Sequence, residues 1–501
     1  MRRLLAVTRE TLKECLRTRV AAVFVALLAA CLVGIALGFK GDGTLPGRIR
    51  TFLAYSVVLT QLLLAIVTVL LTVGIVTGDI HRKSIFIVIS KPLARWQYVI
   101  GRWLGVVALD AILLAVAGAG IYGMAQALRR LPTQVEQKKA LKQLPPEAYD
   151  PDRRAIDEQV FAARAAVRPD PLDVESAVQA KLQQSFDESG KENLIREAVR
   201  ADAIQQRQAV GGDPSVTDAE LERLAADPEV RRRVLDRLTE EIRKAERDRR
   251  LLVAPGRGVR ITFSGLPARQ EGSLQLDYRL QPVKQGVEAV YSMWVVQRPD
   301  TGETLPPLWR TDATDTGSTL SIPAQAVAPN GTLTLVYLND VRTGSPVKVS
   351  DANLSLYYRI GGFEDNFLRA LGIAMLRLVF LAAAGVLAGV CLSFPMAVLT
   401  GMVVLTVGIM GPFILESTRL LPGDDASAFD LYCHYATKVV FYLVPHTPVF
   451  SSPSDELADG VWISAARLAK EAYAGTGVRA LVLIALACLA FHRRELARVQ
   501  V

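Results

Sequence analysis

Six long apolar runs, three before and three after a long polar stretch, restrict this chain more than any other feature of its sequence. They lie at residues 20–38, 52–76, 101–127, 367–392, 395–415 and 478–491. A helix needs about 20 mostly apolar residues to cross about 30 Å of hydrocarbon. Each run meets or approaches that length, the sixth by starting earlier, near Ala472. From Leu131 to Arg250, by contrast, the sequence is dense in Arg, Lys, Asp, Glu and Gln. Two solvents are therefore needed. The mean hydropathy of +0.26, with 50% apolar residues, lies outside the usual globular range. The expected fold class is membrane α-helical, 3 + 3, with an inserted α + β soluble domain made of a helical stalk and an antiparallel β-sandwich.

Charge distribution sets the orientation. The formal charge is +8, yet no basic stripe with interleaved aromatics occurs, which argues against nucleic acid as a partner. Much of the basic excess instead flanks the apolar runs: Arg2, Arg3, Arg9, Lys13, Arg17 and Arg19 at one end, Arg493, Arg494 and Arg498 at the other. By the positive-inside rule, the N-terminal segment (1–19), the loop carrying Arg82, Lys83, Lys91 and Arg95, and the tail (493–501) face the cytoplasm. The insert and the loop at about 419–477 then face outward. A multi-pass protein of the cytoplasmic (inner) membrane is expected, with both termini cytoplasmic.

Leu28-Ala29-Ala30-Cys31 matches a lipoprotein cleavage box, but the apolar run continues through Leu32, Val33, Ile35 and Leu37. An uncleaved helix is expected. None of the five cysteines falls in the insert, so the insert has no disulfide framework.

Within the insert the periodicity changes. In 129–254, Val230, Val234, Leu238 and Ile242 recur at helical spacing, and Pro145-Pro146, Pro169, Pro171, Gly211-Gly212, Pro214 and Pro228 break the helices. In 255–362 apolar residues alternate with polar ones, as in Leu274, Leu276, Tyr278 and Leu280, or Leu333, Leu335 and Tyr337 after an Asn330-Gly331 turn. Six to eight short strands suggest a sandwich. Such sandwiches often bind sugars or other proteins, so an extracytoplasmic protein or a glycan is the partner class for this part. Trp294, Trp309, Tyr357 and Tyr358 read either as a stacking platform or, more in keeping with large aromatics, as core. Gly361-Gly362 reads as a hinge back into the membrane.

The stretch between the second and third runs is the most informative. Ile85, Phe86, Ile87, Val88 and Ile89 form an apolar segment too short to span, between Asp79, Arg82 and Lys83 on one side and Pro92 and Arg95 on the other. Pro92 ends it, and Arg95, Trp96 and Tyr98 suit the headgroup layer.

This loop resembles the coupling segment of type-2 ABC exporter permeases, with an acidic residue, a short apolar helix, then Ser-x-Pro-x-x-Arg and Gly-Lys. Ser90-Lys91-Pro92-Leu93-Ala94-Arg95 and Gly101-Arg102 match, while Asp79 stands where Glu is usual and Lys83-Ser84 replaces glycine-threonine. The basic amphipathic segment with Leu4, Leu5, Val7, Leu12 and Leu16 is similar to the family's interfacial helix, and Phe491-His492-Arg493-Arg494-Glu495-Leu496 resembles its closing motif. Tyr442-Leu443-Val444-Pro445-His446 is similar to a segment before its last span. The resemblance covers the membrane parts and not the insert. It implies that the 85–89 helix docks on a separate ABC ATPase, present in two copies, and that the permease pairs with itself or with a similar one.

No Gly-x4-Gly-Lys-Ser/Thr phosphate loop occurs in the chain. ATP and Mg are therefore expected on the partner, and this chain is expected to carry no catalysis of its own. Asp110, Arg377 and Glu416 are the charges within apolar runs; an intramembrane ion is costly and marks either pairing or a translocation path. Arg377 is expected within reach of Glu416 or a lipid phosphate. Cys433, His434 and His446 lack recognised ligand spacing, so no metal site is assigned. Two other readings stay open: a mechanotransmission complex that moves an outer domain without transport, and a membrane-anchored receptor or scaffold.

Overall fold

The computed structural model describes residues 2–17, 19–39, 41–81, 94–145, 149–171, 197–200, 204, 217, 222–224, 226–267, 272–298, 300, 302–350, 353–417, 435 and 452–493. Two compact units result, one formed by Met1–Arg164 with Ile360–Val501 and the other by Ala165–Arg359.

The first unit contains six helices long and apolar enough to cross a membrane. After α1 (Arg2–Arg17) come α2 (Arg19–Gly38), α3 (Leu45–His81) and α4 (Arg95–Arg129). The second unit contributes α5 (Pro228–Leu251), and the chain returns through α6 (Phe363–Cys391) and α7 (Phe394–Ser417). A short α8 (Ser452–Ala458) precedes α9 (Ala465–Arg493), which has a π turn at Glu471–Gly475. Their lengths exceed the apolar runs because polar turns extend both ends, as at Arg95 and Arg129 of α4.

The α2–α3 connection is fixed by its polar residues. Asp42 accepts hydrogen bonds from the Thr44 amide (2.9 Å) and hydroxyl (2.6 Å), and these hold its carboxyl below the usual range. The Thr44 hydroxyl in turn accepts from the Gly47 amide at the start of α3. Arg48 donates through Nε (3.1 Å) to the Ala36 carbonyl, one of the orphan acceptors at the end of α2.

α6 is the most enclosed of the six, and α3 is buried on several sides through Phe52, Leu53, Leu64, Val69 and Val73. A Cβ on Gly385 would lie 3.0 Å from the Thr72 Cβ, and one on Gly389 3.1 Å from the Val76 Cβ. Small residues four apart let α6 approach α3 closely, where dispersion contacts supply the attraction between apolar helices.

Residues 129–164, expected within the inserted domain, cluster with the helical unit. Arg129 pairs with Asp157 (2.6 Å) and lies over the Phe161 ring, and Phe161 packs on Phe363 at 5.0 Å. Opposite them, Asn366 donates to the Val461 carbonyl (2.7 Å) and accepts from the Ile463 amide (2.8 Å). Gly460 sits at φ 65°, so close to the Gln159 carbonyl that no side chain fits. These contacts form a collar on one end of the bundle.

The second unit is built on antiparallel strands. One sheet runs β1 (Ala162–Val167), β11 (Leu354–Gly362), β4 (Ser273–Arg279), β8 (Gly317–Pro323); the other runs β3 (Gly258–Phe263), β9 (Leu333–Asn339), β6 (Ala289–Gln297), β7 (Leu308–Ala313). A ribbon of β2 (Leu252–Val253), β10 (Val347–Lys348) and β5 (Gln281–Pro282) joins them in the chain. Inward residues of every long strand meet in one core around Tyr278, Trp294 and Tyr337, with ring centroids 4.9 and 5.0 Å apart. Burial pushes the Tyr337 and Tyr278 phenols above their ordinary range, and the Tyr278 hydroxyl donates to buried Asp312 at 2.7 Å.

One expectation changes here. Ala162–Val167, placed in a helical stalk, is a strand, because its edge pairing in the sheet outweighs the helix preference of its alanines. Gly361-Gly362, expected as the hinge back into the membrane, are the last residues of β11, and α6 begins at Phe363. Of the four aromatics, Trp294 is fully buried, in keeping with the core reading, while Trp309 is largely exposed.

Candidate functional site

The sequence expectation centres on residues 78–100, of which 82–93 lie outside the described residues; Arg82, Lys83, Ile85, Phe86, Ile87, Val88 and Pro92 are among these. The flanks are described, and they converge. Asp79, in the last turn of α3, accepts on one carboxylate oxygen from both the Tyr98 hydroxyl and the Arg102 guanidinium of α4. Arg102 also donates through Nη1 to Glu14 (2.6 Å) and Thr11 (3.3 Å) of α1. Thr11 can accept because its own proton goes to the Val7 carbonyl at 2.9 Å.

α9 closes the cluster. Phe491 is buried and stacks on Tyr98 (5.5 Å between centroids), and Arg95 donates to the His492 carbonyl at 2.7 Å. Both ends of the 82–93 segment are thus fastened to each other and to α1 and α9.

Close packing makes this geometry available. Gly101 and Gly105 on α4 face α1; a Cβ on them would lie 2.7 Å from the Val7 Cβ and 2.4 Å from the Thr11 Cβ. The buried ridge of α1 is accordingly Thr11 and Cys15, flanked by Val7, while Leu5 and Leu16 of the expected apolar stripe stay exposed. Desolvation pushes the Cys15 thiol up to about 12.

The Arg102 and Asp79 side chains are 12% and 14% exposed, so losing this charge-assisted bond costs about 1.5–3 kcal/mol even though each keeps a second partner. The Glu14 carboxylate is 46% exposed, and its pairing is worth roughly 0–1 kcal/mol. The described side chains of the cluster join α1, α3, α4 and α9 by ion pairs, hydrogen bonds and ring stacking.

The other sequence-derived residues do not come together. Asp110 is fully buried on α4; its Oδ1 lies 3.0 Å from the Thr68 hydroxyl of α3, and its Oδ2 has no hydrogen-bond partner among the described residues. Arg377 of α6 donates to Gln61 of α3 at 3.4 Å. The Glu416 side chain, and Cys433, His434 and His446, lie outside the described residues. Among the described residues no cluster of three or more His, Cys, Asp or Glu has the arrangement to hold a metal ion.

Sequence reasoning missed Glu14, Thr11 and Cys15 as members of the cluster. The signal available was the Gly101-x-x-x-Gly105 spacing, which announces a close helix neighbour. No protein-family description, curated protein or solved structure matches this chain.

Proposed function

We propose that this chain is the membrane subunit of an ATP-driven exporter of the ABC type-2 class, coupling ATP hydrolysis on a separate subunit to movement of substrate across the cytoplasmic membrane. The observation that carries the reading is the clamp of Asp79, Tyr98, Arg102 and Glu14 at the roots of the 82–93 segment. A push on Ile85–Ile89 by a nucleotide-driven partner is useful only if the segment's ends transmit it. Bonds from α3 and α4 to α1 and α9 supply that path, because packed, hydrogen-bonded elements shift as units.

In this account two ATPase subunits serve a permease dimer, ATP and Mg stay on the ATPase, and the termini face the cytoplasm. Asp110 and Arg377 lie along the α3 interfaces that such a movement would shear. The large second unit with its own core favours a second reading, in which the same stroke moves the outer domain against an envelope partner without transport.

The test is Ile87→Asp in the complex purified from native membranes. The account expects loss of ATPase stimulation and transport with normal membrane insertion; unchanged stimulation and transport would refute it. Vesicle transport assays separate export from mechanotransmission, which leaves nucleotide-dependent movement but no flux.

A further inference from the structure

The outward face of β11, β4 and β8 carries a groove of about 490 Å³ lined by polar side chains. Strand alternation puts it there: Leu276, Tyr278 and Leu356 point into the core, which sends Asp277, Arg279, Ser355 and Tyr357 to the other face. The register sets them in rows. Ser355, Asp277 and Thr319 lie side by side across three strands, and Arg279 stands opposite Gly317 on β8. The Thr319 hydroxyl donates to Asp277 Oδ1 at 2.7 Å and fixes that carboxylate.

The lining chemistry selects the ligand. One carboxylate and one guanidinium give the groove no net charge, so it offers nothing that prefers a phosphate or a polycation. Ser318, Thr319, Asn353 and Ser355 each donate and accept, which suits partners whose groups do the same. Tyr357 adds a ring that can cover an apolar C–H face. An extended peptide is a poorer match: the groove lies on the face of the sheet, where β4 is paired on both sides, and on the edge strand β8 the Thr319 carbonyl already accepts from Arg310 at 3.3 Å.

We propose that this groove binds a neutral, polyhydroxylated chain, a glycan, with Asp277, Arg279, Asn353 and Ser355 reading hydroxyls and Tyr357 covering one sugar ring. The site is independent of whether the helical unit is a permease.

Gly317 provides a clean block. A Cβ there meets open space, so Gly317→Trp fills the groove without displacing the strand. The full-length protein in nanodiscs is probed by saturation-transfer NMR with cellotetraose, chitotetraose, maltotetraose and mannotetraose, beside tetragalacturonate and a capped octapeptide. At least one neutral tetrasaccharide is expected to bind. Gly317→Trp and Asp277→Ala are each expected to weaken it at least tenfold with unchanged thermal midpoints, and Ser355→Ala serves if either fails to fold. No binding of any neutral tetrasaccharide, equal binding by the blocked variant, or preference for tetragalacturonate or the octapeptide would overturn the proposal.

Discussion

At the scale of single residues, Arg102 decides the most. Its guanidinium is shared between Asp79 on α3 and Glu14 on α1, and the former partner is nearly enclosed. Arg102→Ala is expected to destabilise the helical unit by about 1.5–3 kcal/mol, measured by thermal unfolding in nanodiscs, because the largely enclosed Asp79 carboxylate loses its cationic partner and keeps the Tyr98 hydroxyl. Glu14→Gln, at a half-exposed position, should cost under about 1 kcal/mol. Equal effects from the two variants would mean that burial does not set the hierarchy. Cys15 gives a second residue-level test. Its thiol stays protonated in the folded chain up to about 12, whereas an unfolded cysteine loses its proton near about 8.5. Between those values the folded state holds the extra proton, so this group's contribution to stability falls as pH rises through that window. Stability of Cys15→Ser should lack that component, as denaturation followed from pH 8 to pH 10 (about the lower part of the window) would reveal.

The elements explain why these residues meet. α1 lies against α4 through Gly101 and Gly105, and any larger side chain at Gly105 collides with Thr11. Gly105→Leu is therefore expected to lift α1 away and make Cys15 reactive to maleimide within minutes, read by peptide mapping beside the exposed Cys391, while Cys15 of the wild type stays unlabelled; an unlabelled Cys15 in the variant would contradict the packing. At this scale the sequence was informative for strong periodicity and weak for context. Six apolar runs became six long helices, and the alternations at Leu274–Leu280 and Leu333–Tyr337 became β4 and β9. The strand at Ala162–Val167 was illegible because Ala-Ala-Arg-Ala-Ala has helical composition and becomes a strand only through its neighbour in the sheet. The collar was hidden for a similar reason: Arg129 and Asp157, or Asn366 and Val461, are far apart in sequence, and nothing local marks them as partners. The candidate site was half legible. Its loop and the flanking Asp79 and Arg95 carried a recognisable pattern, but Glu14, Thr11 and Phe491 join only through helix packing.

At the scale of the whole molecule, the two large cores among the described residues differ in chemistry, one of long apolar helices and one of a sandwich around Trp294. Two thermal transitions are expected in calorimetry. Trp294→Ala should cost about 3–5 kcal/mol and lower one of them by about 10 °C, leaving the other in place; a single shared transition would mean that the units fold as one. The central claim is that the 82–93 segment receives work from a separate ATPase. Its most direct measurement is quantitative mass spectrometry of the complex purified from native membranes, wild type beside Ile87→Asp. The account predicts one P-loop ATPase at equal stoichiometry with the wild-type chain and its loss from the variant. No such ATPase with the wild type, or the same ATPase retained and stimulated in the variant, would contradict it.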